Sequence, residues 1–386
     1  MSLPEDFFAD FPPVSKAEWL ERIAKDLKGK AVEDLYWQLS DELRIDPFAH
    51  PDDQPQPPLP LSEEVHHWSI NEDVEQANPQ AANQQALEAL AFGAESISFT
   101  LLDLGQLSTL TENIYLDYIE LNFSGQAVDA APAAVLHNLG EEAQRRAIPT
   151  NRLRGALYYD PLARSRPVDW RYLSDLVAYA REAFPGYRVL SVNGGSTYVG
   201  PAQVVQELTR LLQRGNEYLR QGAERGIDPA ALAAQMQFCL EVGKSYYVEI
   251  ARLRAFCLLW LNILQAWRIP LEYPVLDVRF APAAYTEELY TNMIRATTMA
   301  MSAVLGGARR LTVLPYDAGR EHLAKSPQTF SRRIARNVQH LLKLESGFAE
   351  LTDPVAGSYF LEKLTAQLAT HAWKAFSQAE GSFSGM

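Results

Sequence analysis

Cysteine is nearly missing from this chain. The two present, Cys239 and Cys257, exclude a disulfide-stapled design and fit a reducing compartment. Long apolar runs are missing too. The most apolar stretch, AFCLLWLNILQAW (255–267), is interrupted by Asn262 and Gln265 and is too short to span a bilayer, so no membrane partner is expected. Clustered positive charge is absent, since no run of Lys and Arg exceeds a pair. With a net charge of −13, that argues against a nucleic-acid surface. The opening MSLPEDFFADFPPVSK is acidic and lacks the basic-then-apolar layout of a signal peptide, so the sequence predicts a cytoplasmic protein. No G-x-G-x-x-G follows a first strand, which removes the main support for a dinucleotide fold. No metal-type His or Cys spacing appears, and no loop carries paired carboxylates.

What is present is an ordinary globular composition, 47% hydrophobic and 22% charged over 386 residues, enough for a sizeable core. SKAEWLERIAKDLKGK predicts an N-terminal helix. Ser15 and Glu18 form a capping box, Trp19, Ile23 and Leu27 make an apolar stripe, and Gly29 stands where the helix should end. HPDDQPQPPLPL then places five prolines between Pro51 and Pro60, the composition of an extended connector. An arm of this kind either wraps a partner or packs on its own chain.

From about residue 80, helical segments alternate with strand candidates at 97–104, 118–125, 155–161, 187–195, 236–243, 275–283, 311–319 and 348–354. Asp228 before Pro229 signals a short new helix, and Gly306-Gly307 a helix end. On the helix near 246–267, Ile250, Leu253, Cys257, Leu258 and Leu261 share one expected buried face. Eight strands separated by helices predict an α/β fold, a (β/α)8 TIM barrel with an N-terminal helical arm. An open doubly wound sheet is the alternative. The expected division is an arm and Pro-rich linker over 1–62, the barrel over 63–376 and a tail over 377–386.

In a TIM barrel the chemistry sits at the C-terminal strand ends. Those ends carry Asp103, Ser124, Asp160, Ser196, Lys244, Arg279, Asp317 and Asp353, with no histidine among them. Three of the aspartates precede helices and read first as helix caps. His66 and His67 precede the barrel, while His137, His322, His340 and His371 sit in helical patterns. Cys239 falls on a strand and Cys257 on an apolar helix face, as buried structural thiols do. RVLSVNGGSTYVGPAQ (188–203) is shaped like an active-site loop, yet between its glycines and its helix it holds only Ser196, Thr197 and Tyr198.

Three long stretches say more: YVEIARLRAFCLLW (247–260), TNMIRATTMAMSAVLGGARRLTVLPYDAG (291–319) and RRIARNVQHLLKLESGFAELTDPVAGSYFLEKLTAQLATHAW (332–373). They resemble the substrate-binding barrel of the methylmalonyl-CoA mutase family, and WLERIAKDLKGKAVEDLYWQ (19–38) is similar to that family's N-terminal arm. The resemblance implies a (β/α)8 barrel that takes an acyl-coenzyme A thioester down its axis. In active members it also implies a separate cobalamin domain that starts radical rearrangement, with the barrel orienting substrate and excluding water.

The departures from that pattern lie at the chemical positions. The family's cobalt-ligating D-x-H-x-x-G string is absent, and the segment after Pro354 has room for one helix and a tail, whereas a doubly wound cobalamin domain needs ~100 residues or more. Active members read S-G-Y-H-M-Q-E-A-G where this chain has NGGSTYVGP, so the catalytic His position falls on Ser196, a hydroxyl that cannot shuttle a proton near neutral pH. T-x-Q-N-D after the third predicted strand is replaced by LYYD: Asp160 matches, while Tyr158 and Tyr159 stand for the amides. H-T-N-S in the seventh loop becomes Thr312, Val313, Leu314 and Pro315. The Pro-rich connector stands where active chains carry an aromatic, Arg-bearing segment.

Together these departures match, within the family, a shorter small subunit that leaves catalysis to a homologous large subunit. On that reading no residue here is catalytic, and Tyr158, Tyr159, Asp160, Ser196 and Tyr198 are vestigial substrate-binding candidates. Ser196 reads equally as a helix cap, and Asp160 as a loop-holding group. Arg295 and Arg336 read as ion-pair or interface residues. Adenosylcobalamin would be bound through the partner. Trp19, Leu27, Leu35 and Trp37 would anchor the heterodimer, and removal of residues 1–45 should abolish it. Two other readings stay open: an active acyl-CoA mutase subunit served by a separate cobalamin-binding chain, and a non-enzymatic acyl-CoA-binding or scaffold protein.

Overall fold

The computed structural model describes residues 13–53, 67–76, 78–193 and 200–383, with side chains to residue 380. Nine parallel strand segments form one sheet. In chain order they make β1 (Ser69–Val74), β2 (Ser96–Thr100), β3 (Glu120–Ser124), β4 (Arg154–Leu157), β5 (Tyr187–Arg188 and Leu190–Asn193), β6 (Met236–Val242), β7 (Leu276–Phe280) and β8 (Arg310–Thr312). The two pieces of β5 close the ring. The first pairs with β4 and the second with β6, the strand being interrupted at Val189. Arg310 opposite Ser69 joins β8 to β1. The result is the expected eight-stranded TIM barrel.

Two strand assignments differ from the sequence reading. The first barrel strand is β1, SINEDV, whose polar Asn71 and Asp73 face inward and break the apolar pattern that marks a buried strand. The apolar run at 348–354 is not a strand. It is turn and bend, with Leu351 half-exposed and the Asp353 carboxylate clasping Arg254 at 2.6 Å. The LYYD segment therefore follows the fourth strand, and Thr312–Pro315 the eighth.

Around the ring pack α2 (Pro79–Ala91), α3 (Pro132–Arg145), α4 (Trp170–Ala183), α5 (Val204–Glu224), α6 (Tyr246–Ala266), α7 (Leu289–Leu305), α8 (Gln328–His340) and α9 (Tyr359–Phe383). The helix α6 does not bury one face. It is buried almost all round from Val248 to Trp260, because α9 packs along its outer side. Of the five expected face residues, Leu258 and Leu261 are only half-buried. Residues 377–383, read as a tail, continue α9. The short helix Pro229–Ala234 starts at the Asp228 cap, and α7 ends at Gly306, as the sequence predicts. Glycine is required in β4, where Gly155 has φ +152° and an added Cβ would lie 1.8 Å from the Leu121 carbonyl oxygen.

The arm begins with α1 (Lys16–Asp26), carrying the expected Ser15/Glu18 capping box and no buried residue. A small antiparallel ribbon follows, Trp37–Gln38 against Arg44–Ile45. Its Leu39, Leu43 and Ile45 join the main hydrophobic core. Asp46 and Asp53 gather Lys16 of α1 and Lys363 of α9 at 2.7–3.5 Å, tying the arm to its own chain. Most of the Pro-rich connector lies outside the described residues.

Candidate functional site

Alternation along each strand sends one residue set to the helices and the other to the barrel axis. Outward-facing positions are apolar, such as Ile97 and Phe99 on β2 and Leu121 and Phe123 on β3, all buried. The inward set is unusual for a TIM barrel, whose centre is normally filled by branched apolar side chains. Here it is polar and charged, and the side chains bond to one another across the ring.

One layer is centred on Arg310 of β8. Its guanidinium donates to Glu120 of β3 at 3.0 Å and to Gln237 of β6 at 3.1 Å, with Asp277 of β7 at 3.5 Å. Gln237 donates to the Ser191 hydroxyl on β5 at 2.8 Å, and Ser69 of β1 donates to Glu120 at 2.8 Å. Five strands besides β8 are thus linked through one buried cation. Burial works against both charges, yet the Arg310–Glu120 pairing prevails, holding the Glu120 carboxyl below its ordinary range and raising Arg310, which Asp277 also supports.

Above it, Asn71 of β1 donates to Thr312 of β8 at 2.8 Å and to Asp73 at 3.0 Å, and accepts from Ser96 and Ser98 of β2 at 2.8 and 3.1 Å. At the C-terminal mouth Asp73 meets Arg279 of β7 at 3.4 Å, and the Arg279 guanidinium lies 5.4 Å from the centre of the Tyr158 ring. Arg279 is raised by Asp73 in the first place. Tyr158 is pushed well up, first by burial and then by the Asp277 charge, so its phenol stays protonated. Burial likewise pushes up the Cys239 thiol on β6, with Asp277 adding to it.

The three neighbours Tyr158, Tyr159 and Asp160 go to different places. Tyr158 faces the mouth, within 3.4 Å of the Ser98 hydroxyl. Tyr159 turns outward beneath the Arg164 guanidinium, 4.7 Å from its ring centre. Asp160 is buried and accepts from Tyr218 of α5 at 2.7 Å, Arg214 at 3.3 Å and the Asn193 backbone N–H at 3.1 Å. It ties the end of β5 to α5 and caps no helix. Ser196 and Tyr198 lie outside the described residues. Of the other strand-end residues, Asp103 does cap, accepting from Gly105 N–H at 2.7 Å. The charged centre of Arg310, Glu120 and Asp277 was not anticipated. Its signal was charge at alternate positions inside apolar strands, as in YIELNF and LDVRF.

Of the proposed anchors, Trp19 packs edge-on against Phe48 within the arm, ring centres 5.7 Å apart, and Leu27 is half-buried. Leu35 and Trp37 are 46% and 43% exposed. Beside the mouth, a cleft opens between β1, the loop after β8, and α8, lined by Glu72, Asp317, Arg332 and Arg336 among others. Among the described residues no histidine lines it, and they contain no group of three or more His, Cys, Asp or Glu able to hold a metal ion. No described helix is long and apolar enough to cross a membrane.

Fold and site together define a TIM-barrel protein with a polar, cross-linked axis and a weakly armed mouth. Comparison with known proteins supplies the family. The family model described as methylmalonyl-CoA mutase matches residues 99–385. The methylmalonyl-CoA mutase small subunit of Porphyromonas gingivalis is 31% identical over 406 residues, covering 97% of this chain and 64% of that one. The small subunit from Streptomyces virginiae is 28% identical, covering 98% and 66%, and the large subunit from the same organism is 27% identical, covering 95% and 57%. Among solved structures, Yersinia pestis dihydropteroate synthase aligns over 72% of this chain and 95% of its own, with a TM-score of 0.37 and 11% identity, too low to bear on function. This chain belongs to the methylmalonyl-CoA mutase family. It spans just under two thirds of the length of the two small subunits it resembles.

Proposed function

We propose that this chain is the non-catalytic small subunit of a cytoplasmic, heterodimeric, adenosylcobalamin-dependent methylmalonyl-CoA mutase, a complex that interconverts methylmalonyl-CoA and succinyl-CoA. The observation that carries the reading is the Arg310 layer. An acyl chain threaded along this axis would have to displace Arg310 from Glu120 and Asp277, leaving the buried Asp277 carboxylate without its cation. Breaking a buried pair in that way costs about 3–5 kcal/mol. The likeness to two small subunits, stronger than that to the large subunit, supports the same reading.

Among the described residues, none lining the cleft is a histidine, so none offers an imidazole to cobalt. Cobalamin is therefore assigned to the large subunit, where it supplies the radical chemistry, and no step is routed through it here. For the partner surface the arm offers Trp19, Leu27, Leu35 and Trp37, the last two already exposed.

Affinity capture from the native cytosol with this chain as bait tests the proposal. Expected is a one-to-one partner bearing a cobalamin domain and the active-site histidine, with adenosylcobalamin-dependent turnover of methylmalonyl-CoA in the eluate. Recovery of a free-standing cobalamin-binding chain, with turnover lost on changing Ser196 or Tyr198, would make this barrel catalytic and overturn the reading.

A further inference from the structure

The end of the barrel opposite the mouth holds a cation that the protein leaves unpaired. Arg188 closes the first piece of β5, where its backbone lies beside Ala156 of β4. Its side chain is half-buried and makes no hydrogen bond or ion pair with any described residue. The Nε is out of solvent reach, while the two Nη groups, equally unpartnered, stay open to it. Every other Lys or Arg among the described residues is either exposed or has a partner. Burial, followed by the like charge of Arg310, pushes Arg188 below the ordinary arginine value. What this position lacks is a negative charge.

Arg188 lines a cleft at the N-terminal ends of β5, β6 and β7. Its walls are apolar: Met236 and Phe238 of β6, Trp260 and Leu264 of α6, and Ile269 and Pro274 of the loop between α6 and β7. Two other charged residues line it, Arg181 of α4 and Glu272 of the same loop. Both are exposed, so water serves them, and their charges offset one another. Glu272 lies near enough to favour the charged form of Arg188, which sets the guanidinium toward the cleft, yet no ion pair joins the two.

A single guanidinium amid apolar walls suits a monoanion with a hydrocarbon body. A phosphate dianion would need several donors, which these walls do not supply, and Glu272 would repel it. The parallel N–H groups of a guanidinium match the two oxygens of a carboxylate. The volume is about 190 Å³. At ~30 Å³ per water in the liquid, that is the share of about six waters, room for a carboxylate carrying a short hydrocarbon tail.

We infer that this cleft binds a small apolar monocarboxylate, its oxygens on the Nη groups of Arg188 and its hydrocarbon part against Trp260, Ile269 and Pro274. The site stands apart from the subunit reading, because it lies away from the mouth and needs neither coenzyme A nor a partner chain.

Calorimetric titration of the full chain with butyrate, isovalerate and benzoate at neutral pH tests this, beside the matching neutral amides and inorganic phosphate. Expected is saturable binding of at least one acid, with its amide about tenfold weaker or worse and phosphate weaker than the acid. R188Q, which keeps a hydrogen-bond donor but removes the charge, should weaken binding by about tenfold. A234F, on the cleft wall, should weaken it at least as much by filling the space. Should R188Q fail to fold, A234F and the amide comparison decide the question alone. No binding of any of the three acids, equal binding of the amide, tighter binding of phosphate, or affinity unchanged in R188Q would each overturn the inference.

Discussion

The barrel axis and the N-terminal arm are held by opposite means. In the axis, buried Arg310 links part-buried Glu120 and buried Gln237 by hydrogen bonds and buried Asp277 by an ion pair, across four strands. In the arm, α1 buries no residue, and four partly exposed charges fasten it: Lys16, Asp46, Asp53 and Lys363. A network centred on a fully buried cation is costly to break, whereas lysine–carboxylate pairs reached by solvent contribute less. The barrel is therefore committed to one arrangement, while α1 is lightly tethered, its apolar stripe of Trp19, Ile23 and Leu27 only half-buried.

Arg310→Met is the sharpest way to break this contrast. It should destabilise the chain by about 3–5 kcal/mol, read from urea unfolding, by leaving Asp277 buried without its cation and Glu120 without its main partner. A loss below about 1 kcal/mol would mean that the layer is not what closes the axis.

Asp160→Asn comes next. Removing the charge shared by Tyr218, Arg214 and the Asn193 N–H should cost about 1.5–3 kcal/mol in the same assay. If stability were unchanged, a site role for Asp160 would regain ground over a structural one.

At the arm, Lys363→Ala should cost no more than about 1 kcal/mol, shrinking further in high salt. The pH dependence has a definite sign. Burial alone would raise Asp46 and Asp53, but hydrogen bonds from Lys363 and Phe48 N–H to Asp46, and from Lys16 to both, hold them below the ordinary carboxylate value. Their contribution is present at neutral pH and is lost as pH falls below about 4 through the depressed values. The melting-temperature gap between the native chain and D46N/D53N should close over that range.

Smallest for the isolated chain is Trp37→Ala, expected to change stability by less than about 0.5 kcal/mol because the side chain is 43% exposed. On the proposed function, the same change weakens partner capture. Deletion is better confined to residues 1–30 than extended to 45, since Leu39, Leu43 and Ile45 belong to the core.

Much of this could be read from the residues. Periodicity located seven of the eight barrel strands, the capping box at Ser15 and Glu18 marked α1, and the long matched stretches pointed to the family. Each signal is local or linear, so no partner from elsewhere in the chain was needed to see it. SINEDV was missed because a strand whose inner face is polar does not show the expected apolar pattern. FAELTDP was over-read because its apolar run mimics a strand, while Asp353 is claimed by Arg254 from α6.

The sequence by itself determined the barrel, the arm helix and the family. Only the tertiary structure decided that the axis is cross-linked, that Tyr158, Tyr159 and Asp160 part company, and that Arg188 is left without a partner among the described residues. The reason is physical: the charge state and role of a buried group depend on what lies within a few ångströms of it. For Arg310 that includes Glu120, a residue 190 positions away that only ring closure brings near.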